Sequence, residues 1–324
     1  MMTLVRNSKF AALPILAICV AACDPTPASE GPDSLGFVMW DSSELQQRNE
    51  TLGTLIGPDG SARETLAEYG NPSGAHRFRF IRRDSDGPPE RHDAIDDVVY
   101  IQSGSGTLLV GGEMIGSTRF PDNLGDLGGE IVGGERYPVS AGDLLRIPSG
   151  IPHSYLVSDG GHITYVLVRV PAFVGEVVAN PDGEAPQLDP PGLAIWKVSE
   201  LEERNAALGT RVRPDGSSRE TLADYGPGGH SHRFRHIRRD RTGPPELHDD
   251  IIDVVLVRSG AGVLQVGGEM IGESNVAGSS IDGGSTYPVA AGDILHIPAR
   301  TPHGYLVPDG HITYVLVRVP AYQP

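Results

Sequence analysis

Positive charge is scarce in this chain: 26 Lys and Arg face 42 Asp and Glu, for a net charge of −16 over 324 residues. Binding nucleic acid takes a basic face that neutralises phosphate, and a grip on anionic lipid takes clustered Lys and Arg. Neither fits this balance, so no nucleic-acid partner is expected. Cysteine is almost missing, with only Cys19 and Cys23. Both lie near the N-terminus, which leaves no disulfide framework for the body of the chain. The stretch "FAALPILAICVAA", residues 10–22, is apolar but too short to span a bilayer. No Ser-His-Asp order, P-loop or dinucleotide-type glycine pattern is found.

That apolar stretch follows Arg6 and Lys9 and ends in Ala21, Ala22 and Cys23. A positive start, a short apolar core and small residues before a cysteine make residues 1–22 a signal peptide. The pattern resembles a bacterial lipoprotein signal, which implies a lipid on Cys23 and an exported chain held to the cell envelope, facing periplasm or exterior. The alternative is ordinary secretion with cleavage after an alanine. Residues 23–35, rich in Pro, Ser and acid, then read as a disordered tether.

The remainder is a tandem duplication. Trp40, Glu64, Tyr69 and His92 recur at Trp196, Glu220, Tyr225 and His248, each 156 residues on. Tyr137 and His153 recur at Tyr287 and His303 with an offset of 150. Six extra residues therefore sit within "STRFPDNLGDLGGEIVGG" of the first copy, as expected of a surface loop. The boundaries read as domain 1 over 36–174, a Pro- and Gly-rich linker over 175–192 and domain 2 over 193–324. Each copy opens with a helix, marked by Ser199-x-x-Glu202 and Ser43-x-x-Gln46 as capping boxes. Short Val- and Ile-rich strands between 42 Gly and 27 Pro follow, with "DVVYIQSG" and "GTLLVGG" expected as a hairpin about Gly104 and Gly106. The class is all-β, as sandwiches or small barrels.

Within each copy one constellation keeps its spacing. Glu90 and His92, two apart in an extended segment, leave the same face, and Asp97 follows. The second copy has Glu246, His248 and Asp253. Downstream, "GDLLRIPSGIPH" and "GDILHIPARTPH" end in His153 and His303. Imidazoles and carboxylates on one face are ligands for a first-row divalent metal.

Gly142, Pro148, Gly150 and His153 match the second sequence motif of the cupin superfamily, G-x5-P-x-G-x2-H; in the second copy Arg300 replaces the inner glycine. Glu90-x-His92, four residues, Asp97, six residues and Gly104 resemble its first motif, with Glu for the first His and Asp for the Glu. The chain thus resembles a bicupin. This implies two tandem jelly-roll-like barrels, each behind a short helix and packed against each other. One mononuclear Mn, Fe or Zn site per barrel follows, held by Glu90, His92, Asp97 and His153, and by Glu246, His248, Asp253 and His303. Two carboxylates and two imidazoles would leave such a divalent site neutral. Tyr155 and Tyr305, two residues past the last ligand, are candidate catalytic proton donors. His76, His162, His232 and His311 are candidate outer contacts to ligand or substrate. The arginines of "RFRFIRR" and "RFRHIRR" pair with acids, and one per barrel is a candidate to orient a carboxylate. The functional expectation is a small-molecule metalloenzyme of oxygenase or other oxidoreductase type. The competing expectation is a cupin that binds a sugar or organic acid without turnover.

Overall fold

The computed structural model of the chain describes residues 36–69, 76–120, 124–172, 188–225 and 232–321. The leader, Cys23 and most of the linker lie outside them. Among the described residues no helix is long and apolar enough to cross a membrane.

The architecture is all-β, with two curled barrels, each preceded by a short helix, Ser42–Gly53 and Val198–Gly209. Every copy is organised around one long strand, Ile95–Val110 or Ile251–Val266. Its first half pairs with Leu144–Ile147 and Ile163–Pro171, its second with Glu135–Ser140 and His153–Leu156. The expected hairpin about Gly104 is therefore a single strand that turns a corner between sheets. The register slips at Gln102, Gly104 takes φ +74°, and a Cβ there would stand 2.0 Å from the His162 carbonyl oxygen. Bulge and glycine bend the strand without ending it.

The barrels exchange their first strands. Val38–Trp40 pairs with Ile294–Ile297 of the second barrel, and Ala194–Trp196 pairs with Leu144–Ile147 of the first. The period-2 alternation of these strands then serves two cores. Leu193 and Ile195 enter the barrel-one core, whereas Ala194 and Trp196 enter a shared core with Trp40, Phe78, Phe234 and Val317.

The helices are capped across the same junction, which corrects the capping boxes read from the sequence. Asp41 caps the first helix by accepting from the Glu44 amide at 2.8 Å, and Asp293 of barrel two accepts from the Ser42 amide at 2.8 Å. Lys197 at the second N-cap makes no side-chain cap, so Asp143 of barrel one accepts from the Val198 amide at 2.8 Å. Ser43 and Ser199 lie one residue inside their helices. The motif glycines before these aspartates have a matching role. A Cβ on Gly142 would meet Val198 at 2.7 Å, and one on Gly292 would meet Ser42 at 2.8 Å.

Where the barrels meet, symmetry breaks at one buried pair. Arg146 bonds Asp96 at 2.6 Å and lies over the Tyr225 ring, 3.8 Å from its centroid. Its counterpart His296 stacks on Tyr69, centroids 4.3 Å apart, with Nδ1 2.8 Å from the Gly36 carbonyl. Burial pushes His296 down to about 4 and His236, wholly buried, down to about 3. Folding holds these imidazoles neutral, whereas the unfolded chain protonates them near 6.5. Their contribution is thus complete above about 6.5 and lost as pH falls through 4. We expect the melting temperature to drop across that window. His236 has no hydrogen-bond partner among the described residues and stands where the first copy has Phe80. His236→Phe should therefore stabilise the protein by about 1–3 kcal/mol and flatten the acid limb of a melting-temperature profile.

Candidate metal centre

Each ligand set is built from three places in the barrel. Glu90–His92 forms a short strand whose Glu90 pairs with His153, while Asp97 projects from the long strand. Pro152 ends the preceding turn and delivers His153 into its strand. The Nδ1 of His153 lies 3.0 Å from the Ile151 carbonyl oxygen. A carbonyl only accepts, so Nδ1 carries a proton and Nε2 is the nitrogen that faces inward. There it stands 3.3 Å from Asp97 Oδ2 and 3.8 Å from Glu90 Oε1. His92 Nε2 stands 3.4 Å from Asp97 Oδ2 and 3.6 Å from Glu90 Oε2. Ligand atoms about 2.0–2.2 Å from one ion stand roughly 3–4 Å from each other, so the donor set fits a divalent metal.

Barrel two repeats this. His303 Nδ1 is 2.9 Å from the Thr301 carbonyl oxygen, and its Nε2 is 3.3 Å from Asp253 Oδ2. His248 Nε2 lies 3.4 Å from Glu246 Oε2 and 3.5 Å from Asp253 Oδ2. All eight residues singled out from the sequence thus converge, four in each barrel.

Burial alone would raise Asp97, but His92, His153 and Arg169 hold its carboxyl well below the usual range. Burial likewise opposes ionisation of Glu246, yet His248, Arg239, His303 and Arg318 keep it at about 2.

Two residues not anticipated from the sequence stand in these clusters. Arg169 Nη2 is 3.2 Å from His92 Nε2 and 3.8 Å from Glu90, and its Nε is 4.0 Å from Asp97. Arg318 occupies the matching place in barrel two. Their signal was an arginine inside an otherwise apolar strand, "YVLVRVP", repeated without change. A neutral metal site, expected from two carboxylates and two imidazoles, therefore gains one positive charge from each.

The other candidates fall at varied distances. Tyr155 stacks on Tyr165 with centroids 4.8 Å apart, and burial lifts its hydroxyl well above 10, so it keeps its proton at neutral pH. Tyr305 and Tyr314 line a small cavity of about 10 Å³ with Glu246, Asp253 and His303, room for roughly one water. His162 and His311 sit at the strand corners, 3.4 Å from Ser103 and Ser259. His76, buried at φ +58°, donates its backbone N–H to the Arg169 carbonyl. His232 Nε2 lies 2.6 Å from the Pro171 carbonyl oxygen. The structure brings none of these four into the ligand clusters. Of the alternating arginines, Arg83 and Arg239 donate to the Tyr165 and Tyr314 hydroxyls at 3.0 and 2.9 Å, and Arg239 also reaches Glu246 at 3.1 Å.

The longer loop of the first copy covers its site. Gly125–Leu127 pairs with Glu90–His92, and Phe120 stacks on the His92 ring at 5.7 Å and 16°. His92 is 3% exposed by its side chain, His248 17%. Beside the barrel-two ligands, Leu247, Met270, Arg300 and Pro302 line an open cleft of about 570 Å³.

No protein-family model matches the chain, and no curated protein does. Solved structures do. Salicylate 1,2-dioxygenase from Pseudaminobacter salicylatoxidans superposes with a TM-score of 0.55 and 15% identity, over 86% of this chain and 83% of that one. The adducts with gentisate of salicylate 1,2-dioxygenase from Pseudoaminobacter salicylatoxidans give 0.55 and 14%, over 90% and 83%. At such identity the likeness establishes the two-barrel cupin fold.

The lid over barrel one predicts slow metal exchange there. Phe120→Ala should speed removal of the barrel-one ion by a chelator about ten-fold, with no change at barrel two. Stopped-flow with a chromogenic chelator measures both phases.

Proposed function

We propose that this chain is a metal-dependent bicupin enzyme acting on a small anionic molecule, of oxygenase or other oxidoreductase type. The observation that carries the reading is the inward-facing Nε2 of His153 and His303, each fixed by a backbone carbonyl and set among two carboxylates and a second imidazole. Glu90, His92, Asp97 and His153 would hold a divalent ion, which would supply Lewis-acid or redox chemistry there. The chain's own groups provide the rest. The Ile151 and Thr301 carbonyls hold the ligand tautomer, Arg169 adds positive charge that attracts an anionic substrate, and Phe120 keeps water off the His92 face. Tyr155 holds its proton behind the ligands, available as a donor.

The fold shared with a salicylate 1,2-dioxygenase, known also with gentisate, supports small aromatic acids as the first substrate class to test. The second reading, non-catalytic capture of a sugar or organic acid, draws on the small cavity of about 10 Å³ in barrel two. A space of that size holds water or an ion, and an organic ligand there would occupy the open cleft instead. From the sequence alone we also propose export with a lipid on Cys23. Labelling with radioactive palmitate should mark the wild-type chain and not Cys23→Ser; equal labelling of both would end that idea.

The test of function is metal content by plasma mass spectrometry and oxygen uptake on hydroxybenzoates, using untagged protein. His153→Ala should remove one equivalent of metal and the turnover assigned to barrel one while leaving the fold intact. Wild-type protein that carries no metal and consumes no oxygen, yet melts higher with an organic acid, would favour the binding reading.

A further inference from the structure

The two ligand clusters differ in what already neutralises them. In barrel two Arg318 Nη2 lies 3.0 Å from Glu246 Oε2 and 2.9 Å from His248 Nε2, with its Nε 3.4 Å from Asp253 Oδ1. Arg239 Nη2 takes the other oxygen, Glu246 Oε1, at 3.1 Å. Arg318 thus crowds the inward nitrogen of His248, and both Glu246 oxygens are taken by arginines. The two carboxylates meet two guanidiniums, and the cluster is balanced before any ion arrives. In barrel one, Arg169 comes within hydrogen-bond distance of His92 alone, and stands 3.8 and 4.0 Å from Glu90 and Asp97. Arg83, which corresponds to Arg239, donates to the Tyr165 hydroxyl as Arg239 does to that of Tyr314, but makes no ion pair with Glu90 like the one Arg239 makes with Glu246. Two carboxylates there meet one guanidinium, leaving a negative charge in a buried site.

We infer that the last-strand arginine is a resident cation of each cluster, and that Arg318 with Arg239 locks barrel two against metal. An ion entering barrel two must break three charge-assisted contacts and leaves a buried site with two excess positive charges. An ion entering barrel one displaces only the longer contacts of Arg169, 3.8 and 4.0 Å from Glu90 and Asp97, and leaves one. The barrels therefore load in order, barrel one first, although their ligands are the same residue types. The inference rests on the metal reading above and adds the order of loading and the residues that set it.

Calorimetric titration of the metal-free full chain with Mn²⁺ alone tests it. Wild type should bind in two phases, the second weaker by about ten-fold or more, a difference of 1.4 kcal/mol per ten-fold. His153→Ala should abolish the tight phase and His303→Ala the weak one. Arg318→Met should tighten the weak phase while lowering the melting temperature of the metal-free protein, because it frees buried carboxylates. Arg239→Met, which leaves the contact to His248 in place, should do the same more mildly and covers the case in which Arg318→Met does not fold. Two equal phases, or arginine variants that bind no tighter, would overturn the lock while leaving the metal reading standing. A wild type that fills only barrel one, with a second phase gained in Arg239→Met, would support it. No binding in any variant would overturn both.

Discussion

Neither barrel closes on its own strands. Val38–Trp40 completes the second barrel and Ala194–Trp196 the first, and the aspartate ending each motif turn caps the other copy's helix. A sheet edge left unpaired exposes a row of backbone donors and acceptors, and the exchange covers such an edge in each barrel. It also places Trp40 and Trp196 in one shared core, so the barrels are coupled through apolar contact as well as backbone bonds. The geometry of both ligand clusters is inherited from this closure. Leu144–Ile147, which carries the donated strand, is also the partner that fixes Asp97 on the long strand.

Within that frame the sites are a matter of charge. Four ionisable ligands are buried, and a buried carboxylate is tolerated only with a partner. The protein supplies arginines and imidazoles with inward-facing nitrogens. The number of arginines within reach then decides how much work is left for an ion. Barrel one leaves more of it undone and is covered by its longer loop, whereas barrel two is balanced and open at the mouth. Arg300, held at φ +62° where the first copy has Gly150, shows the same drift at the rim. The copies keep the same ligands while diverging in what surrounds them.

The junction diverges similarly. Arg146 with Asp96 keeps a charge-paired cation under a tyrosine ring, and His296 fills the matching place without an acid. One half of the interface is held by an ion pair, and the other carries imidazoles that folding keeps neutral.

The sequence by itself determined the duplication and the all-β cupin fold, and it picked out the eight side chains that converge in two clusters. The reason is that spacing along a strand is local: Glu90 and His92 share a face because side chains alternate, and the motif turn delivers His153 whatever lies around it. The helix starts were misread because Ser199-x-x-Glu202 satisfies a local rule, while the first cap is the neighbouring Asp41 and the others, Asp293 and Asp143, come from tens to hundreds of positions away. Gly104 read as a hairpin turn because glycine marks a turn and a corner equally. Only tertiary structure decided the strand exchange, the Phe120 lid and the entry of Arg169 and Arg318 into the clusters. Each depends on which distant strands pair, and a lone arginine in an apolar strand does not tell, until the barrel is closed, which charge it will meet inside.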